Sequence, residues 1–487
     1  MNERLTFNVG VRECRTPQRR HGRAPAAAET GTLQLAAGVR DKALAHRSPG
    51  PSKAEAKDWA WLGLLAFTAV LFLRPQDQFR PLAMLHLAEV FAIVALVGMI
   101  MARTGAGLPP MPYTPEIGGL LAFGAAMLVG LPFSFWPGGS VKDFVEIYLK
   151  VLVIVMLMIH ALDRAVRIER FTALIVVCSG FVATRSLFDY MRGIHLVEGG
   201  RLAGAVGGIL GNPNDLALNM VVFLPFGLAA AFKPGPVPRR VLAALCAAVM
   251  MTTIVLTKSR GGFLGLGAML AMLVITSVRV RPAIGVAAVV AVLAAVPLAP
   301  ASFWNRMVSI FDADHDTTGS RQARLDLLEE GVRVFVAHPV LGVGLGQFIN
   351  YDPTDRKGAW NVTHNAVLQV AAELGIVGLV PFLFVVGRAV LAVKVTRRAL
   401  MPPARRSERR GGKGRRERLV PDSERDTLLT LMTALGPALL GWIVCAQFAS
   451  VALNWTFYLV LGIIVATREV VLRSSVASAP SIRAKVS

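Results

Sequence analysis

His364 is the side chain whose type and setting best suit it to accept a proton. It follows Asn361 and Thr363, both able to cap a helix, and opens the long apolar run that ends near Gly387. In the first turn of a helix the positive end of the macrodipole disfavours an imidazolium, and so do nearby arginines. The ring is therefore expected to be neutral at pH 7 and free to take a proton from a hydroxyl. A buried histidine bonded to a neighbour is the plain alternative. Four arginines could supply fixed positive charge. Arg260 lies in Lys258-Ser259-Arg260-Gly261-Gly262, a turn between two apolar runs. Arg201 precedes Gly211-Asn212-Pro213-Asn214-Asp215, which reads as the cap of the next helix. Arg321 and Arg324 open a predicted amphipathic helix from Arg321 to Val336. Arginines on a buried face require a partner anion or a wet cavity. Arginines at a membrane edge also serve as plain anchors, snorkelling to the surface.

Other chemistries find less support. Asp312, Asp314 and Asp316 form a polar run suited to turning a loop, and Asp312, Asp314 and His315 lack the spacing of a metal site. No two acids fall in an inward-facing setting as a glycosidase pair would need. Cys14, Cys178, Cys246 and Cys445 stand apart, three of them inside apolar runs, and read as small buried hydrophobes. Neither a cofactor nor a metal is expected.

The elements that must position these residues are membrane helices. The chain is 54% apolar and only 17% charged, too little charge for the wet surface of a soluble protein of 487 residues. The net charge of +21 does not point to nucleic acid, because the basic residues lie in tails and turns and form no stripe interleaved with aromatics. Apolar runs near 59–74, 82–102, 117–135, 147–162, 171–188, 215–232, 240–257, 261–278, 282–299, 364–387, 427–447 and 453–472 predict an all-α polytopic membrane protein of about twelve transmembrane helices. Lys and Arg concentrate in alternate turns, which places both termini in the cytoplasm. The expected organisation is a disordered basic tail at 1–57, a transmembrane domain at 58–472, and a cytoplasmic tail at 473–487. Within the domain, a large helical periplasmic loop at 300–363 joins spans nine and ten, and a basic cytoplasmic loop occupies 394–426. In the predicted loop helix, Leu325, Leu328, Val332 and Phe335 form one stripe with Arg321 and Arg324; Asp326, Glu330 and Arg333 fall opposite.

Taken in order, these motifs resemble the bacterial O-antigen ligase and O-antigen polymerase family. Thr363-His364-Asn365 through Glu373, Gly375 and Gly378 is similar to its H-N-x-x-L-x-x-x-x-E-x-G-x-x-G signature. Arg324-Leu325-Asp326-Leu327-Leu328, followed by His338-Pro339-Val340-Leu341-Gly342-Val343-Gly344-Leu345-Gly346-Gln347-Phe348, resembles its arginine-led helix and H-P-x-x-G-x-G-x-G-x-F turn. Ser259-Arg260-Gly261 and Asn212-Pro213-Asn214 are similar to its S-R-G and N-P-N elements. The position after the loop arginine that is often Trp in the family is Leu328 here.

The resemblance implies a metal-independent glycosyltransferase acting at the periplasmic face of the inner membrane. Its donor would be a glycan on undecaprenyl diphosphate, and its acceptor a hydroxyl of a glycan, of lipid A core or of a protein. It implies His364, Arg324 and Arg260 as catalytic, and Arg201, Arg321 and Asn365 as substrate-binding. Polymerisation of repeat units is the first expectation and ligation the second. A lipid flippase or secondary transporter is the reading from another class. It fits poorly, since the longest cytoplasmic loop separates spans ten and eleven and does not divide two similar halves.

Overall fold

The structure is a computed structural model that describes residues 58–197, 200–204, 210–298, 301–308, 320–352, 361–401 and 422–477. The expected tail at 1–57, most of the basic 394–426 tract, the chain end beyond 477 and the Asp312–Asp316 run lie outside the described residues.

Helices dominate. They are α1 (Trp59–Leu73), α2 (Leu87–Gly105), α3 (Pro115–Gly130), α4 (Pro137–Ala161), α5 (Ala165–Met191), α6 (Pro213–Phe232), α7 (Val237–Leu256), α8 (Arg260–Ser277) and α9 (Pro282–Leu298). Then come two helices of the long loop, α10 (Ala301–Val308) and α11 (Ser320–Ala337), followed by α12 (Ala366–Leu400), α13 (Asp422–Cys445) and α14 (Trp455–Ala477). A two-strand ribbon, β1 (Leu196–Val197) against β2 (Arg201–Leu202), precedes α6. The chain is an all-α polytopic membrane protein: eleven helices are long and apolar enough to cross a membrane, and α9, at 17 residues, falls just below that length. Each of the twelve expected spans has its helix among the described residues.

Local sequence sets the helix starts. Asp58, Thr114, Asn212, Ser259 and Asn365 each cap a helix, their side-chain oxygens accepting backbone N–H groups of the first turn. Burial then sorts the helices. The apolar, all-round hydrophobic α14 is almost wholly buried against α4, α12 and α13, and α6 and α13 are the next most buried. Peripheral α2 turns Val90, Ile93, Val97 and Met101 outward, the exposed apolar stripe expected of a lipid-facing helix.

Two boundaries differ from expectation. The predicted fourth span at 147–162 is the second half of a helix that begins at Pro137 and passes through a π-helical turn at Phe144–Tyr148. That turn carries Glu146 and breaks the apolar pattern a sequence reading relies on. The tenth span runs on to Leu400, because Lys394, Arg397 and Arg398 sit at a helix C-terminus, where the dipole favours cations.

The end of the bundle bearing Asp58 is laced with ion pairs. Arg167 binds Asp58 at 2.7 Å, Lys233 binds Glu169 at 2.6 Å, and Arg281 grips Asp426 with both oxygens at 2.6 and 2.8 Å. Deeper, fully buried Glu116 of α3 takes two bonds from Arg468 of α14, at 2.6 and 2.8 Å, and a third from Arg388 of α12 at 3.0 Å. Glu116→Ala leaves the buried Arg468 with only Glu469, at 3.0 Å, among the described carboxylates and is expected to cost about 3 kcal/mol. Thermal unfolding of the detergent-solubilised protein should show a lower midpoint. Replacing Glu116 and Arg468 together by Met should recover most of the loss, and a double variant as unstable as the single one contradicts the assignment.

Candidate functional site

At the opposite end of the bundle, the two short motifs meet through one side chain. Asn212 caps α6, its Oδ1 accepting the Asn214 N–H at 2.8 Å, and Pro213 pre-sets the first turn. Asn214 is thereby aimed out of the helix end. Its Oδ1 accepts a bond from Arg201 Nη2 at 2.9 Å and another from Ser259 Oγ at 2.8 Å. Arg201 also donates from Nε to the Thr257 carbonyl at 3.3 Å. Ser259 is the cap of α8, so the turn that ends α7 and starts α8 is pinned to the ribbon and to α6. Arg260 occupies the first position of α8, directly after that cap.

Lys258, in the same turn, is buried and has a left-handed backbone (φ 48). Burial, together with the charges of Arg306 and Arg201, lowers its pKa from the usual lysine value. Arg306 comes from α10, which is held on α8 by an edge-to-face contact of Phe303 with Phe263 at 5.7 Å between centroids. Lys258 and Arg306 were missed as site residues. Lys258 carried a signal, since it abuts the S-R-G element; Arg306 carried none, because only packing brings α10 there.

His364 lies just ahead of α12 and is not in its first turn. The cap is Asn365, whose Oδ1 accepts the N–H groups of Val367 and Leu368, both at 2.9 Å. The apolar run and the preceding Asn361 and Thr363 suggested an earlier start. In fact Thr363 turns its hydroxyl back to the Asn365 carbonyl at 3.0 Å. His364 takes a left-handed conformation (φ 52), and its backbone N–H donates to Ser450 Oγ at 2.9 Å. Asn365 also donates to Gln447 at 3.4 Å. The α13–α14 connection thus holds the histidine from behind, a support with no mark in the sequence.

The loop helix α11 lies against the start of α12, but its buried face is not the expected stripe. Leu327, Glu330, Gly331 and Val334 face inward, whereas Leu325 and Val332 are 48% and 52% exposed. Gly331 decides the rotation, because a Cβ there would fall 2.7 Å from Leu368 of α12. Arg324, seven residues earlier and so on the same face, is directed at the head of α12. Glu330, expected on the far side, is 3% exposed and meets Arg333 at 3.3 Å. The backbone of Arg321 opens the helix, but its side chain lies outside the described residues. Burial first, then the charges of Arg324 and Arg201, push the His364 pKa down to about 4. The structure therefore brings Arg201, Arg324, His364 and Asn365 to one place, with Arg260 beside it on the Ser259 turn.

The rest of the long signature builds the clamp beneath. The segment His338–Phe348 folds into the break of α12 at Gly375, which has φ 58 and ψ −160. Val343 and Gly344 donate to the carbonyls of Ala372 and Glu373 at 3.0 and 2.8 Å, and Ile376 and Val377 donate back to Pro339 and Val340. The Glu373 carboxylate accepts the Gly346 N–H at 3.0 Å. Gly375 breaks the helix and admits this loop. A Cβ on Gly375 would stand 2.2 Å from the Val340 carbonyl oxygen, and one on Gly342 would stand 2.3 Å from the Glu373 backbone. Gly375→Ala is expected to cost about 1–3 kcal/mol from backbone strain, and the clash with Val340 adds to it. It should sharply lower the yield of monodisperse protein on size-exclusion chromatography; a wild-type elution profile contradicts this.

Among the described residues, no three His, Cys, Asp or Glu side chains gather as they would around a metal ion. A comparison with protein families matches residues 245–383 to the O-antigen ligase family. The match spans the S-R-G element, Arg324, the glycine-rich turn and His364 with its signature; Arg201 and the N-P-N element lie outside it. The resemblance to O-antigen ligases and polymerases holds on this segment. No curated protein matches the chain.

Proposed function

We propose, with the O-antigen ligase match over residues 245–383 as premise, that the chain transfers a glycan from undecaprenyl diphosphate to an acceptor hydroxyl. The acceptor oxygen attacks the anomeric carbon, the bond from that carbon to the diphosphate oxygen breaks with inversion, and the diphosphate leaves with the electron pair. His364 takes the hydroxyl proton. Arg260 and Arg324 stabilise the leaving diphosphate, and Arg201, Arg321 and Asn365 bind the substrate. The guanidinium groups do the work that a metal ion does elsewhere. The reaction takes place at the periplasmic face of the inner membrane, with both termini in the cytoplasm, in keeping with the ion-paired basic residues at the other end of the bundle. The observation that carries this reading is that Arg201 and Arg324, from separate elements, come close enough to His364 for both charges to act on its ring.

The reaction is proposed as polymerisation of surface-polysaccharide or O-antigen repeat units. Ligation to lipid A core or to a protein hydroxyl is the second reading, favoured by the description of the matched family. Deleting the gene and resolving lipid-linked glycans on a gel separates the two. Single repeat units accumulate if the chain is a polymerase, and full-length chains stay on the carrier if it is a ligase. An unchanged profile rejects both.

A further inference from the structure

A cavity of about 480 Å³ opens between α1, α2 and α4, at the same end of the bundle as His364. Its inner wall includes Trp455, at the end of the turn whose Ser450 holds the His364 backbone. The lining is apolar in depth, with Phe67, Leu71, Leu96, Val153 and Ile154. Ile93 lines it too and is 60% exposed, as are Val145 and Leu149 in lesser degree, so the mouth faces sideways from the bundle toward lipid. The volume falls in the range of small-ligand pockets.

Polar groups gather at one end only. Arg74, Gln76, Glu89, Glu146 and Lys150 line it. Lys150 pairs with Glu89 at 2.8 Å and Arg74 with Asp77 at 2.7 Å, and the π-helical turn of α4 delivers Val145 and Glu146 to the wall. Two cations and two carboxylates line the cavity, whereas the His364 site collects Arg201, Lys258, Arg306 and Arg324. A diphosphate belongs in the second place and has no reason to enter the first. The Gln76 Oε1 atom is buried and has no hydrogen-bond partner among the described residues. A buried acceptor of this kind calls for a donor, N–H or O–H, from whatever fills the space.

We propose that this cavity binds a zwitterionic phospholipid with a primary-amine head group, one acyl chain lying along Phe67, Leu96 and Trp455. The ammonium sits at Glu89 and Glu146 and donates to Gln76, and the phosphate sits toward Arg74 and Lys150. A trimethylammonium head group carries the same charges but no donor, so it leaves Gln76 unsatisfied. The site gives Arg74-Pro75-Gln76-Asp77 a role that the transfer chemistry does not use, and it stands whether or not that chemistry is as proposed.

Native mass spectrometry of the full chain, released from nanodiscs of equimolar phosphatidylethanolamine and phosphatidylcholine, tests it. Wild type should retain one phosphatidylethanolamine in about tenfold preference, the value of one buried hydrogen bond. Gln76→Leu should retain both lipids equally, and Leu71→Trp, which fills the cavity, should retain neither. If Leu71→Trp fails to fold, Ala92→Leu, which narrows the same cavity, takes its place. Equal retention of the two lipids by wild type, or retention unchanged when the cavity is filled, overturns the proposal.

Discussion

His364→Asn is expected to abolish polymer or ligated glycan in cells while the protein accumulates in the membrane at its normal level. Asn is the informative substitution because position 364 has φ 52, a conformation that Asn tolerates far better than Ala or a β-branched residue. It keeps the Ser450 bond, which is made by the backbone, and removes only the ring. Loss of a general base costs typically 10²- to 10⁴-fold, roughly the whole of the signal a cell assay can follow. The pH profile carries the same claim. With a pKa of about 4, the ring is neutral through the physiological range. Activity of the purified protein should stay flat from neutral pH down to roughly pH 5 and fall only near 4. Stability follows the same proton. An unfolded histidine titrates at its ordinary value and the folded one lower, so the unfolded chain binds the proton first. Stability therefore rises with pH across the window from about 4 to 6.5 and is indifferent above it. Normal glycan from the Asn variant sinks the catalytic assignment.

Arg324→Gln is expected to lower turnover about 10²- to 10³-fold, the usual loss for one group that stabilises charge in a transition state. It should also move the acid limb of the pH profile upward, because a positive charge that opposes protonation of His364 has gone. The two effects distinguish a site arginine from a merely structural one. A surface anchor would move neither, and a packing residue would lower protein level without shifting the profile. Arg324→Lys keeps the charge but not the planar fork; its profile should stay near wild type while its turnover remains low. If Arg324→Gln shows wild-type turnover, or low turnover with an unmoved acid limb, the shared pocket is not the site of reaction.

How much of this was readable beforehand depends on the kind of information involved. Span number followed from runs of apolar residues, because a helix in lipid must satisfy its own backbone and can expose only apolar side chains. The motif residues were also legible one by one. The turn at Gly211–Asp215 was read as a cap and Asn212 caps α6 through a bond two residues along the chain, whereas α12 was expected to be capped by Asn361 or Thr363 and is capped by Asn365. The apolar stripe of α11 was read wrongly, since Gly331 against Leu368 sets its rotation, and that neighbour is supplied by another helix. His364 was expected to be neutral on account of a helix dipole and nearby arginines; burial comes first, and the charges of Arg324 and Arg201 follow. The part played by Ser450 and Arg306, and the bond from Arg201 to Asn214, had no local signature. Sequence by itself determined the membrane helices and the residue types available for chemistry. Tertiary structure alone decided which of those side chains meet, because an electrostatic field and a packed contact depend on distance through space, and distance along the chain does not fix it.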